Sequence, residues 1–308
     1  MKSYTFIVNP VAGNGRAAKL IPVIKEELER ERLPFELVLT TKAGNAIELA
    51  RAARGEVVVA VGGDGTINEV ANGLGSDKIL GIIPAGSGND LIKSLDIPKK
   101  PLMALRNLLE GTIVGIDVGT VECASGSEAG QRRIFTNGVG VGFDASVAIR
   151  KGEIPLLKGT AVYVLAVLDT LRKYEAPLFS VRTNGFPATS RQLLLAAIGN
   201  GKCAGGGFYL TPDADPSDGL LDVTLISDVR IRTILHLMPR VMRGKHMGHP
   251  AVEGLRTNHI VLESETPFNV HADGEIVGKD VTSTEVTLND GRLRVISGKK
   301  IDRPEKVQ

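Results

Sequence analysis

Cysteine is nearly absent from this chain. The two present, Cys123 and Cys203, lie far apart in sequence. That leaves no disulfide framework and suits a reducing compartment, with both thiols as buried small residues. An excess of one charge is also missing. The sequence carries 37 Lys+Arg against 35 Asp+Glu, a net charge of only +2, so no bulk basic surface advertises nucleic acid. Electrostatic contact with a membrane must then come from local clusters. The start, MKSYTFIVNPVAG, lacks the apolar stretch and small-residue cleavage site of a signal peptide. The best candidate for a membrane span, 160–171, is too short and is broken by Asp169. A soluble, cytoplasmic chain is the expectation. Glycine is abundant at 36 but scattered at turns, with no internal repeat or low-complexity tract. At 308 residues the chain can bury a sizeable core and is expected to form two domains.

The most informative stretch is VVVAVGGDGTINEVANGL, residues 57–74. Val57 to Val61 run apolar without alternation, as a strand buried on both faces does in a parallel sheet. Gly62, Gly63 and Gly65 follow around Asp64, and Thr66 or Asn68 is placed to cap a helix carrying Ile67, Val70, Ala71 and Leu74 at helical spacing. A glycine turn between strand and helix aims backbone N–H groups at one anion, which makes phosphate the first candidate ligand. A carboxylate at Asp64 repels such a ligand unless Mg²⁺ sits between them, or unless it orients a hydroxyl or a metal-bound water. Asp-Gly pairs also occur at Asp218, Asp273 and Asp290, so the pair alone signals only a turn; the whole string signals a phosphate site.

Strands over 4–8, 35–39, 57–61 and 79–83 alternate with helices over 16–32, 46–54 and 101–110, the pattern of a doubly wound parallel sheet. Loops 9–15, 62–66 and 86–90, each following a strand, belong at the carboxyl edge, where ligands of such sheets bind. They are expected to line one cleft. The pattern Gly13-x-Gly15-x-x-Ala18 mimics a dinucleotide fingerprint, but Asn9-Pro10 intervenes and Val38-Leu39-Thr40 has no acidic residue. No Gly-Lys-Ser/Thr follows any glycine loop.

After Glu110 strands and turns dominate. Candidate strands are 112–121, 133–139, 179–183, 193–198, 221–226, 259–263, 268–272 and 285–288, with helical patches at 143–150, 161–174 and 231–242. The expectation is a second domain of antiparallel β-structure, a sandwich, beginning between Asp117 and Cys123. Within it the loop 124–132 is polar and carries no legible chemistry. In TPDADPSDGLLD, Asp213, Asp215 and Asp218 crowd one loop; that suits Mg²⁺ or Ca²⁺ and suits a solvated hairpin equally well. In FNVHADGEIV a strand runs into Asp273-Gly274 with Glu275 two residues on, either a hairpin turn or a general base toward a substrate hydroxyl. His246-x-x-His249 has metal-like spacing and is expected to be a surface pair.

Asn9-Pro10 with its glycine loop, GGDGTINE at 62–69, IPAGSGNDL at 83–91, GNGKCAGGGFYLTPDADPSDGLLDV at 199–223 and the late HADGE together resemble the bacterial diacylglycerol kinase and sphingosine-kinase-like lipid kinases. NAD kinases share the GGDGT element more distantly. The resemblance spans nearly the whole chain in order. It implies ATP- and Mg²⁺-dependent transfer of the γ-phosphate to a lipid hydroxyl, diacylglycerol first among acceptors. It implies an α/β nucleotide-binding domain over 1–120 and 289–308, and a β-sandwich over 121–288, with the nucleotide between them. By matching position, Asn9, Pro10, Gly13, Gly62, Gly63, Asp64, Gly65, Thr66, Asn68 and Glu69 hold phosphates and Mg²⁺. Thr40 and Ser87 contact the nucleotide, and Asp64, Asp90 and Asp117 form an acidic network. An ordering metal binds through Asp218 and the main-chain oxygens of, or waters on, Asp215 and Leu220. Asp273 and Glu275 fall on the catalytic turn, either one the base. On this basis Asp64→Ala and Asp273→Ala each abolish turnover with the fold intact. Some relatives carry lysine at Asn14; Arg16 or Lys158 supplies that charge here.

A lipid acceptor requires a surface that meets a membrane, placing the chain peripherally at the inner face. Segments 149–158 and 238–249 mix basic and apolar residues as interfacial clusters do, and as loops beside core helices also do. A kinase of a different acceptor (a sphingoid base, another lipid alcohol or a soluble substrate such as NAD) and a non-catalytic nucleotide-regulated lipid-binding protein are the competing readings. Self-association as a homodimer is left open.

Overall fold

The structure, a computed structural model, describes residues 2–124, 132–152, 167 and 169–298. The segments 124–132, 149–158 and 161–174 singled out in the sequence lie partly outside these, and Lys158 wholly so. The chain divides into two compact units, Met1–Ile116 with Arg292–Gln308, and Asp117–Gly291.

In the first unit, β1 (Tyr4–Val8), β2 (Phe35–Leu39), β3 (Val57–Gly62) and β4 (Ile79–Pro84) form a parallel sheet in the order β2–β1–β3–β4. The helices are α1 (Ala12–Arg30), α2 (Asn45–Ala52), α3 (Asp64–Gly73), α4 (Leu91–Ser94) and α5 (Pro101–Glu110). Successive side chains of a strand point to opposite faces, so each strand feeds two cores. Ile7, Val58, Ala60, Leu80 and Ile82 pack with Ala46, Ile67, Val70 and Leu91 on one side. Phe6, Val8, Val57, Val59 and Val61 pack with Ala17, Ile24, Leu28, Leu105 and Leu108 on the other. Helices on both faces explain the unbroken apolar runs; each fully buried aliphatic side chain contributes about 1.5–3 kcal/mol. The late return of the chain is also present, since Arg294 and Val295 pair in parallel with Ile79 and Leu80.

The second unit is an antiparallel β-sandwich. Its strands are β5 (Thr112–Cys123, entering from the first unit), β6 (Arg132–Phe135), β7 (Gly138–Gly142), β8 (Leu178–Thr183), β9 (Phe186–Gly199), β10 (Leu221–Ser227), β11 (Val252–Thr257), β12 (His259–Ala272) and β13 (Glu275–Ser297, leaving toward the first unit). Helices α6 (Phe143–Gly152) and α7 (Ile231–Val241) interrupt them. Pairing runs β11–β10–β9–β7–β12–β13, while β8 bonds to both β9 and β12, and β5 to β6. Phe179 meets Phe268 edge-on, ring centroids 4.9 Å apart, in a core that also holds Phe135, Val181, Leu221 and Leu262. Cys123 and Cys203 are both buried, as expected of them, and burial pushes the Cys123 thiol up.

Three expectations change. The single strand over 133–139 is two strands, broken at Thr136 and Asn137, whose amides turn away to the Asp273 carboxylate. Neither Thr66 nor Asn68 caps α3, because the helix already begins at Asp64 with Gly63 before it. His246 is not on the surface: it is wholly buried, with Nε2 3.1 Å from the Leu210 carbonyl.

Candidate active site

The three glycine loops of the first unit meet. After β3 and β4 the Gly62 carbonyl accepts the amides of Ala85 at 2.7 Å and Gly86 at 3.0 Å. Bare glycine is required for that approach. A Cβ on Gly86 would lie 2.4 Å from Gly63 Cα, and one on Gly62 2.4 Å from Thr66 Oγ1. The loop after β1 joins through Asn9, whose Nδ2 donates to Thr66 Oγ1 at 3.1 Å. There Gly13, Asn14 and Gly15 are all left-handed, a conformation that glycine and asparagine tolerate best. Arg16 ties this loop to the third, donating to Gly13 O at 3.2 Å and Gly86 O at 2.8 Å.

Asp64 is the hub. Its Oδ1 accepts the Asp90 amide and its Oδ2 the Asn89 amide, both at 2.6 Å. The carboxylate therefore holds the 86–90 loop by its backbone. Asp90 itself is buried and takes Lys93 Nζ at 2.7 Å. Glu69 reaches back to α2, accepting the Gly44 amide at 2.9 Å and the Ala46 amide at 3.1 Å, so it satisfies orphan donors at that helix start. Asn68 is buried and accepts Asn72 Nδ2. Thr40 directly follows β2, its amide donating to Val8 O, and Ser87 is exposed at the tip of its loop. Pro10, Gly13 and Gly65 are half-buried along the same loops.

In the second unit the Asp273–Glu275 turn splits its carboxylates between two tasks. Asp273 is left-handed, and its carboxylate accepts four hydrogen bonds: the amides of Thr136, Asn137 and Gly138 at 2.9 Å each, and the Thr136 hydroxyl at 3.1 Å. A carboxylate offers about four lone-pair positions, so these donors fill it. Glu275, about one-third exposed, pairs with Arg133. Sequence reasoning misses this division because Thr136 and Asn137 give only backbone and one hydroxyl to it.

From Thr136 a buried relay leads to the acidic loop. Asn200, fully buried, donates to Thr136 O at 2.7 Å and to Asp117 O at 2.8 Å, and Asp117 Oδ2 accepts the Gly219 amide at 2.7 Å. On that loop Asp215 accepts the Ser217 amide and hydroxyl, while Asp218 accepts the Leu220 amide and pairs with Arg256. Burial pushes the Asp222 carboxyl up, against the pull of Arg256. Arg256 thus balances the charge that a cation at Asp218 would balance. No group of three or more metal-ligating side chains occurs among the described residues.

Two family models match: a diacylglycerol kinase catalytic domain over residues 3–121 and a YegS C-terminal NAD kinase beta sandwich-like domain over 137–297. The chain is 31% identical over 276 residues to a diacylglycerol kinase of Mycobacterium tuberculosis, covering 88% of each chain, and 27% identical to one of Staphylococcus saprophyticus, covering 90% of each. The chain belongs to the diacylglycerol kinase family. Its fold is similar to a crystal structure of a diacylglycerol kinase from Bacillus anthracis, with a TM-score of 0.70 at 20% identity over 96% of this chain and 97% of that one. It is more distantly similar to an NAD kinase from Archaeoglobus fulgidus in complex with ATP, with a TM-score of 0.53 at 16% identity over 97% and 94%. For a member of a lipid kinase family the membrane matters. No helix among the described residues is long and apolar enough to cross one.

Proposed function

We propose that this chain transfers the γ-phosphate of ATP to the free hydroxyl of diacylglycerol, giving phosphatidic acid, as a peripheral enzyme at the inner face of the membrane. The observation that carries the reading is the knot of Gly62, Gly63 and Gly86 around the Asp64 carboxylate, a backbone cradle in which any side chain on Gly62 or Gly86 would collide. The names of the relatives supply the acceptor class.

Phosphoryl transfer asks for positioning and charge neutralisation more than for covalent chemistry. Asn9, Pro10, Gly13, Gly62, Gly63, Gly65 and Thr66 would hold the phosphate chain. Thr40 and Ser87 would flank the rest of the nucleotide, and Asn68, Glu69 and Asp90 would brace the loops that do so. Asp64 acts by fixing the 86–90 amides. Mg²⁺ bound with ATP would neutralise charge on the phosphate oxygens. No step is assigned to a cation at Asp215, Asp218 and Leu220, because Arg256 and the Leu220 amide already engage Asp218. With the lone pairs of Asp273 filled, Glu275 is the carboxylate that takes the acceptor's hydroxyl proton, and Asp273 holds the turn that presents it.

Purified protein with γ-labelled ATP and a panel of diacylglycerol, monoacylglycerol, sphingosine, a polyprenol and NAD tests this. Label is expected in phosphatidic acid. Label in NADP alone, or in no acceptor, overturns the proposal.

A further inference from the structure

We propose that the solvent face of α7 and the turn after it dock on an anionic bilayer surface. The buried side of α7 is ordinary: Ile234, Leu237 and Val241 are 9%, 3% and 6% exposed and pack into a core with Leu194, Ile226 and Val252. A helix that merely covers a core turns mixed charges to water on its other side. Here Ile231, Leu235 and Met242 are 45%, 48% and 49% exposed and, with the exposed Pro239, recur at i, i+4, i+8 and i+11 in one stripe. Arg232, His236, Arg240 and Arg243, all exposed, repeat the same spacing one position on, so a basic stripe runs beside the apolar one. Residues 229–249 contain no acidic side chain. Among the described residues, none of Arg230, Arg232, Arg240, Arg243 and Lys245 forms an ion pair.

Five exposed cations stand out in a chain whose net charge is +2. Adjacent apolar and basic stripes are what an in-plane interfacial helix presents, the apolar one to the acyl boundary and the cations to anionic headgroups. A second copy of the chain fits less well, since a two-fold interface would set these cations against their own images. A nucleic-acid backbone would leave Ile231, Leu235 and Met242 without a counterpart. The inference deepens the lipid kinase reading, whose acceptor resides in a bilayer, but its residues belong to none of the loops assigned to that chemistry.

The chain has no tryptophan, so Leu235→Trp places a single reporter on the stripe. The control is Leu102→Trp on α5, where Leu102 is 56% exposed. Phosphatidylcholine vesicles containing phosphatidylglycerol are expected to shift the emission of the Leu235→Trp reporter to shorter wavelength and to quench it when the acyl chains are brominated. The control should not move, and phosphatidylcholine alone should do little. Adding Arg240→Gln and Arg243→Gln should weaken vesicle binding about 30-fold, the loss of two headgroup-facing cations. These two changes should leave turnover of dispersed short-chain diacylglycerol unchanged.

No shift with phosphatidylglycerol, an equal shift with phosphatidylcholine alone, or an equal response from the control overturns the proposal. So does sedimentation showing that Leu235→Glu dissociates a dimer while vesicle binding persists. Vesicle binding is read without ATP, so an inactive protein that still binds through α7 refutes the kinase assignment and not this surface.

Discussion

Replacing the two carboxylates of the late turn one at a time should separate stability from turnover. Asp273 accepts three backbone amides and a hydroxyl, all within 3.1 Å. In Asp273→Asn the left-handed backbone is kept, because asparagine tolerates it. One oxygen remains to accept, while the new NH₂ faces donors. Two of the four bonds are lost, and with hydrogen bonds to charged groups contributing about 1.5–3 kcal/mol each the cost is about 3–6 kcal/mol. For a unit of this size that lowers the melting temperature by roughly 6–24 °C. Asp273→Ala strands all three amides and approaches the whole stability of an ordinary domain, about 5–15 kcal/mol, so the intact fold expected for it from sequence does not follow. Glu275→Gln is the opposite case. Its partly exposed pair with Arg133 is worth about 0–1 kcal/mol, so melting should stay within a few degrees while phosphoryl transfer falls at least about 100-fold. Calorimetry and the labelled-ATP assay on both variants decide it. A wild-type melting curve for Asp273→Asn, or wild-type turnover for Glu275→Gln, refutes the division of labour.

Asp64→Asn should release one of the two 2.6 Å amide contacts to the 86–90 loop and cost about 2 kcal/mol, raising KM for ATP about tenfold or more; an unchanged KM removes Asp64 from the nucleotide site. Gly86→Ala puts a methyl 2.4 Å from Gly63 Cα, so the loops must part at about 1–3 kcal/mol, and nucleotide titration should show weakened ATP binding at near-normal secondary structure by circular dichroism. Burial holds the His246 imidazole below the ordinary histidine range. The unfolded chain then binds the proton more readily than the native one, so its contribution to stability is full above about pH 6.5 and is lost as pH falls through the native value. His246→Gln should flatten that part of the pH dependence in denaturant titrations, and an unaltered slope would show that His246 is not its source.

The first unit is legible because its chemistry and its packing share one signal. Val57 to Val61 is apolar throughout since both faces of β3 are covered, and Gly62, Gly63 and Gly65 follow it around Asp64. The second unit gives weaker signals. β11 (VEGLRT) alternates poorly and escapes a reading by pattern. The long β13 shows itself in sequence only at 285–288, because Asp290-Gly291 reads as a turn while the strand passes through it with Gly291 left-handed. The contacts of Asp64 and Asp273 are out of reach for another reason. Their partners, the amides of Asn89, Asp90, Thr136, Asn137 and Gly138, belong to the main chain and leave no mark on residue type.

Four Asp-Gly pairs look alike in sequence and diverge in what the carboxylate reaches. Asp290 is exposed, and Asp218 serves its own turn through the Leu220 amide. Asp64 and Asp273 alone among the four capture consecutive amides of a distant loop, across 25 and 26 residues in one case and 135 to 137 in the other. Each therefore fixes dipoles before any substrate arrives. In a reaction driven by preorganised charge, that carries as much weight as direct contact with the reactant. The consequence is that a carboxylate can be indispensable here without exchanging a proton. At both loops the neutral amide variant is then the informative one, because it keeps the shape and removes the acceptor.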